Sequence, residues 1–207
     1  MISAVTHADI GSDHGGLLRL LLTSGSIRHG IAIENKLQPY HNSCRALAGL
    51  DADVRFGNGL AVLMPGEAQS LSVCGMGAES IVKILRAFPD RLPDQLVLQP
   101  NRQPELIRRW ALRQRYHLAD EQIVKGHWPY TILSLRSSKE SDDPAYRGVE
   151  RDAGLLLGPL LVKRADPQWL DQLREEEQYL SQFARLGQPS AKRLTVIRSV
   201  LAVPPCG

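Results

Sequence analysis

The feature that most constrains this chain is a glycine-punctuated acidic loop, Ala8-Asp9-Ile10-Gly11-Ser12-Asp13-His14-Gly15-Gly16, set directly after an apolar run. Three further pieces follow in order: an apolar stretch ending at Glu34, the turn Gly57-Asn58-Gly59, and the turn Cys74-Gly75-Met76-Gly77. One glycine loop alone is weak evidence. A series of apolar runs, each closed by glycine or an acid, points to parallel strands whose carboxyl ends face a common crevice. The segments between agree. Val5–Ile10, Gly30–Glu34, Val54–Phe56, Leu71–Cys74 and Leu96–Gln99 are apolar runs of strand length. Leu17–Thr23, Pro39–Leu50, Ser80–Arg86 and Pro104–Arg115 carry apolar residues at helical spacing. Tyr130–Arg136 is strand-like, with Gln122–Val124 a candidate partner for it. Strands alternating with helices predict βαβ units and a mostly parallel sheet covered on both faces.

At 207 residues, 43% of them apolar, the chain can fill one full domain and a small appendage. The polar segment Ser137–Pro144 reads as a hinge, which predicts a first domain over 1–138 and a second over 145–207. Beyond the hinge, Asp152–Lys163, Pro167–Leu186 and Ser190–Val203 read as helices. Trp169, Leu170, Leu173, Leu180 and Phe183 recur at helical intervals with Glu175–Glu177 outside them, as in a helical hairpin or short antiparallel coiled coil. Cys44, Cys74 and Cys206 are odd in number and lack a CxxC pair, so neither a disulfide framework nor a zinc site is indicated. No apolar run reaches the roughly 18 residues of a membrane span, and the N-terminus lacks signal-peptide character. A cytoplasmic protein with no obligate protein partner is expected. The net charge of +3 permits a nucleic-acid partner without requiring one.

Gly11 lets the backbone turn sharply and approach a ligand closely, although an ordinary strand-to-helix turn would use the same residue. Asp13 argues against a dinucleotide, because its carboxylate would repel a pyrophosphate. A cationic, phosphate-free ligand such as S-adenosylmethionine suits the loop better. Glu34 can accept both hydroxyls of a ribose, or be a solvated acid at a strand end. Asn58 can bond an adenine edge, or simply make an asparagine-glycine turn. Gly75 and Gly77 leave room for a ligand, and Met76 reads as a packing residue. Asn101, after Gln99-Pro100, can recognise a base edge or cap the helix that starts near Pro104. Arg102, Arg108, Arg109, Arg113 and Arg115 crowd one segment with Trp110 and Tyr116. They either track phosphates or form a solvated helix face, and Trp110 reads as core. His14 beside Asp13 has no further ligand spaced to complete a metal site. No Ser-His-Asp arrangement stands out.

In this order Ala8–His14, Phe56-Gly57-Asn58-Gly59-Leu60, Gly75-Met76-Gly77 and Leu98-Gln99-Pro100-Asn101 resemble the TrmK family of bacterial tRNA (adenine-N1) methyltransferases. The resemblance continues through Ile107-Arg108-Arg109-Trp110, Tyr130, Tyr146-Arg147-Gly148 and Gly154–Leu161. It implies an α/β, Rossmann-like S-adenosylmethionine-dependent methyltransferase domain with a C-terminal α-helical, coiled-coil-like domain that contacts tRNA. It further implies methyl transfer from S-adenosylmethionine (SAM) to N1 of adenosine 22. Asp13 and Asn101 would then serve the reacting base. Asp9, Gly11, His14, Glu34, Asn58, Gly59 and Gly75 would hold SAM, and Arg102, Arg108 and Arg109 would meet the tRNA. The chain departs from the family pattern at Gly15-Gly16, where an aromatic is usual, and at Ala78, where a glycine is. It also has only Met1–Ala8 before Asp9, where members carry a helix. A methyltransferase for another RNA or a small molecule, or a non-catalytic SAM- or RNA-binding module, are the rival readings.

Overall fold

The fold grows from buried apolar strands that pair in parallel because helices carry the chain back across the sheet. A computed structural model describes residues 2–126 and 129–202. In chain order the first unit contains β1 (Ala4–Ile10), α1 (Gly16–Thr23), β2 (Ile27–Glu34), α2 (Leu37–Ala46), β3 (Ala52–Phe56) and β4 (Ser70–Met76). It continues with α3 (Ala78–Ala87), β5 (Gln95–Pro100), α4 (Pro104–Arg113), β6 (Tyr116–Lys125) and β7 (Pro129–Ser137). The strands form one seven-stranded sheet in the order β3-β2-β1-β4-β5-β7-β6. Neighbours from β3 to β5 run parallel, while β7 lies antiparallel to both β5 and β6. This is a Rossmann-like sheet whose order reverses between β1 and β4, and that reversal opens a crevice at their carboxyl ends.

The core sits on the central strands. Ala8, Ile10, Ile31, Ile33, Leu71, Val73, Leu96 and Leu98 are all buried. Leu18 and Leu21 of α1 pack with Ile27, Ala32 and Leu47 on one side. Ile81 and Leu85 of α3 and Ile107 and Trp110 of α4 are buried as well. Trp110 stacks on Tyr116 with ring centroids 5.3 Å apart, as its reading as core requires. The strand expected over Gln122–Val124 is longer, because β6 pairs with β7 all along Tyr116–Lys125. Its polar run Asp120-Glu121-Gln122 hides that length from an apolar-run criterion.

The described residues divide into two compact units between Ser141 and Asp142. The second holds α5 (Arg151–Leu157), α6 (Pro159–Arg164), α7 (Pro167–Ser181) and α8 (Gln188–Leu201). Glu150 caps α5 by accepting from the amides of Asp152 and Ala153. The single helix expected over Asp152–Lys163 is broken at Gly158, whose φ of 106° no helix accommodates, and Pro159 restarts it. The helix expected to reach Leu186 ends at Ser181, short of Gly187 and Pro189. Arg193 bonds Glu176 at 2.5 and 2.8 Å and Arg198 bonds Glu177 at 2.9 Å, tying α8 to α7. Val203 and Cys206 lie outside the described residues.

Candidate active site

Each part of the crevice begins as a strand end. β1 passes into the loop at Gly11, whose φ is +73° and whose amide donates to the Ile33 carbonyl at 2.9 Å. A Cβ at Gly11 would stand 2.3 Å from the terminal methyl of Met76, so any side chain there would have to push Met76 aside as well as bear the strain of a positive φ. Gly11, Glu34, Asn58, Gly59, Met76 and Lys83 are among the residues around one cavity of about 450 Å³. Four expected cofactor residues, from three separate strand ends, therefore share a wall. Met76 does more than pack, since its side chain lies over Gly11 and faces the cavity.

Glu34 is 5% exposed, which disposes of the solvated-acid reading. Its carboxylate accepts the backbone N–H of Asp13. Burial pushes its pKa up, and the Asp13 amide opposes that shift. Asn58 is exposed at the rim, and its turn leads into a 3₁₀ segment, Gly59–Val62, rather than a hairpin. Asp13 adopts a left-handed φ of 55°. Its side chain and that of His14 are 66% and 72% exposed, 3.2 Å apart, and His14 also meets Asn42 at 3.3 Å. The loop thus turns its backbone to Glu34 and its charged side chains to solvent.

Beneath the loop runs a buried polar chain that apolar periodicity does not reveal. β1 and β4 pair with His7 opposite Ser70 and Asp9 opposite Ser72. The His7 ring meets Ser70 Oγ at 2.7 Å through Nδ1 and Ser72 Oγ at 2.8 Å through Nε2. Ser72 donates to Asp9 Oδ1 at 2.5 Å. A hydroxyl has one proton, so with Asp9 ionised Ser72 must accept from His7 Nε2–H, and Nδ1 accepts from Ser70. Burial lowers the His7 pKa to about 4 and raises that of Asp9, against the Ser72 hydrogen bond. The available signal was the repeat of polar residues at every second position, His7/Asp9 and Ser70/Ser72, in otherwise apolar strands. Cys74 follows on β4, its thiol pushed up to about 12 by burial, with Asp9 adding to the shift, so it is no nucleophile near neutral pH.

Gly75 sits at a bulge of β4 against β5 with φ 74°. Its N–H donates to the Gln99 side-chain oxygen at 2.9 Å, and the Asn101 side-chain amide donates to its carbonyl at 2.7 Å. Gln99 in turn donates to Asn101 Oδ1 at 3.3 Å. Asn101 is not the helix cap, because α4 starts at Pro104 with Gln103 as its N-cap. The two amides clamp the bulge instead, and the Asn101 amide keeps one donor and one lone pair for a ligand.

The basic segment divides. Arg108, expected at the tRNA surface, is buried with Glu121 of β6 at 2.6 Å, the two side chains being 1% and 0% exposed. An arginine enclosed in such a pair cannot reach a phosphate, and it serves the packing of α4 on the sheet. Arg102 is exposed, and Arg109 lies in a second groove between α3 and α4. Among the described residues no group of three or more His, Cys, Asp or Glu could hold a metal ion, and no helix is long and apolar enough to cross a membrane.

The chain is similar in sequence and fold to known proteins. A tRNA (adenine(22)-N(1))-methyltransferase of Bacillus subtilis is 35% identical over 179 residues, covering 83% of this chain and 74% of the relative. The crystal structure of the B. subtilis M1A22 tRNA methyltransferase TrmK superposes with a TM-score of 0.85 at 30% identity, over 97% of this chain and 93% of that one. A Streptococcus pneumoniae candidate tRNA (m1A22) methyltransferase, solved in complex with S-adenosyl-L-methionine, gives a TM-score of 0.83 at 25% identity over 96% of this chain and 92% of that one. The family model for tRNA (adenine(22)-N(1))-methyltransferase matches residues 7–201, and with the sheet order and crevice above it shows that the chain belongs to the TrmK family.

Proposed function

We infer that the chain transfers a methyl group from SAM to N1 of adenosine 22 in tRNA, with the crevice over β1, β2 and β4 as its active site. The observation that carries this reading is a buried acid, Glu34, facing the same cavity as a glycine, Gly11, whose missing Cβ leaves the floor open. That donor set fits an adenosine: a carboxylate for the ribose hydroxyls, Asn58 for the base edge, and an otherwise largely apolar wall. When bound, SAM would supply an electrophilic methyl on a sulfonium, which the lone pair of the unprotonated adenine N1 would take in line while the C–S electron pair leaves with neutral S-adenosylhomocysteine.

Asp9, held by Ser72, supplies negative charge beneath the loop. Gly59 and Gly75 let backbone approach the cofactor, and His14 borders it from the loop. Positioning contributes much of the acceleration in such a displacement. The methylated ring is cationic, so a carboxylate beside it stabilises charge that develops in the transition state. Asp13 has that role, and its exposure leaves it open to an incoming base. Asn101 orients the base edge with the donor and lone pair that Gly75 and Gln99 leave it. The target base is everted from the folded RNA to reach the crevice. The α-helical unit beyond Ser141, with α7 and α8 as a short coiled coil, grips the tRNA by shape and phosphates, and Arg102 and Arg109 add contacts. The protein works in the cytoplasm.

The test is transfer of labelled methyl from SAM to unmodified tRNA, with the modified nucleoside mapped by mass spectrometry. 1-Methyladenosine at position 22 is expected, and Asp13→Ala should reduce turnover at least tenfold with SAM affinity retained. Methylation elsewhere, or SAM binding without transfer, overturns the assignment. Full activity in Asp13→Ala removes the role given to that carboxylate.

A further inference from the structure

We propose that the groove between α3 and α4 is a track for the phosphodiester backbone of the tRNA substrate, distinct from the cofactor cavity and formed by cations that lie far apart in the sequence. The groove encloses about 610 Å³. Lys83 and Arg86 of α3 and Arg109 and Arg113 of α4 line it, over apolar surface that includes Val82 and Leu106. Glu79 is its one acidic side chain.

Charge balance gives the groove its meaning. Lys83 and Arg86 are three residues apart on one helix, and Arg109 and Arg113 four apart on the other, spacings at which like charges repel. Among the described residues none of these four takes part in an ion pair. Arg55, Arg108, Arg193 and Arg198 are matched with Glu67, Glu121, Glu176 and Glu177, whereas exposed arginines such as Arg19 and Arg28 stand singly on the surface; the groove differs from both in setting four cations around one concavity. A groove that gathers unmatched cations from two helices is complementary to a polyanion.

Its position selects the occupant. α3 and α4 begin just past the strand ends that carry Gly75 and Asn101, so the groove starts beside the clamped bulge where the target base is placed. Lys83 and Ala87 line both the groove and the cofactor cavity. A nucleotide whose base enters the crevice brings its neighbouring phosphates past this point. Arg86 and Arg113, in the last turns of their helices, extend the cationic lining away from it. The inference rests on tRNA being the substrate.

The experiment uses the full chain and an unmodified tRNA transcript, with binding followed by fluorescence anisotropy from low to moderate salt. The triple variant Arg86→Gln/Arg109→Gln/Arg113→Gln leaves Lys83 in place because it also faces the cofactor cavity. It should weaken tRNA binding about tenfold or more and flatten the dependence of log Kd on log salt by about 0.7 to 0.9 for each phosphate no longer neutralised. SAM affinity and thermal midpoint should match those of the unaltered protein. A control pair, Arg19→Gln/Arg28→Gln, removes exposed charge from α1 and β2 and should leave tRNA binding within twofold. Equal effects from the two variants, or weaker binding with an unchanged salt slope, overturn the proposal. Failure of the unaltered protein to methylate tRNA would instead sink the functional reading on which it rests, so the two failures are told apart.

Discussion

Acidification from pH 7 to pH 5 should remove about 2 kcal/mol of stability through one buried side chain, His7. Unfolded, this histidine takes up a proton near its ordinary pKa of 6.5; folded, it resists protonation until about pH 4. Between those values the unfolded chain holds more protons than the native one. Stability from this residue is therefore complete above the ordinary value and declines as pH falls through the window. The full difference of about 2.5 pH units is worth roughly 3 kcal/mol at 1.36 kcal/mol each, and about 2 kcal/mol of it falls between pH 7 and pH 5. Asp9 and Glu34 act with the opposite sign, because burial raises their pKa values and the native state takes up their protons first as pH falls. A wild-type profile alone would mix these effects. His7→Gln separates them, since glutamine retains a donor and an acceptor for Ser70 and Ser72 but does not titrate. Urea denaturation of both proteins at pH 7 and pH 5 should show the wild type losing about 2 kcal/mol relative to the variant. Parallel pH profiles would refute the buried, neutral His7 and the proton order assigned to the chain ending at Asp9.

Arg108→Met should destabilise the sheet unit by about 3–5 kcal/mol by stranding Glu121, whereas Arg108→Met/Glu121→Leu should recover most of that in thermal melts; a harmless single variant would contradict the buried pair. Gly11→Ala should lose about tenfold in SAM affinity by calorimetry, because alanine is strained at a φ of +73° and its methyl displaces the Met76 side chain that lines the cavity. Glu34→Gln should weaken SAM binding by about 10–100-fold, as expected for the loss of a charge-assisted hydrogen bond. Unchanged affinity there would remove Glu34 from the ribose role.

Much of the fold was legible locally. The five parallel strands each hold a short apolar stretch, though polar residues such as His7, Asp53, Arg55 and Ser72 interrupt them, and their ends are marked by Gly11, Glu34, Gly57, Gly75 and Asn101, so the edge that carries the crevice could be read in order. These signals survive in one dimension because a turn with positive φ favours glycine and a strand buried on both faces is mostly apolar. Other readings failed because their reasons lie in a partner distant along the chain. Arg108 looks like its basic neighbours until α4 packs on β6 and sets it against Glu121, thirteen positions later. β6 looks too polar for a ten-residue strand until β7 supplies its hydrogen bonds.

The sequence by itself determined the strand-and-helix alternation, the glycine turns and the family motifs, all of which depend on the conformational limits of neighbouring residues. Only the tertiary structure decided which charged groups face solvent. It buried Arg108 with Glu121, joined His7 to Asp9 through Ser72, and gathered Lys83, Arg86, Arg109 and Arg113 around one groove. The physical reason is that a charge is costly to bury alone, so its place depends on what packing sets against it, and local sequence carries no record of that neighbour.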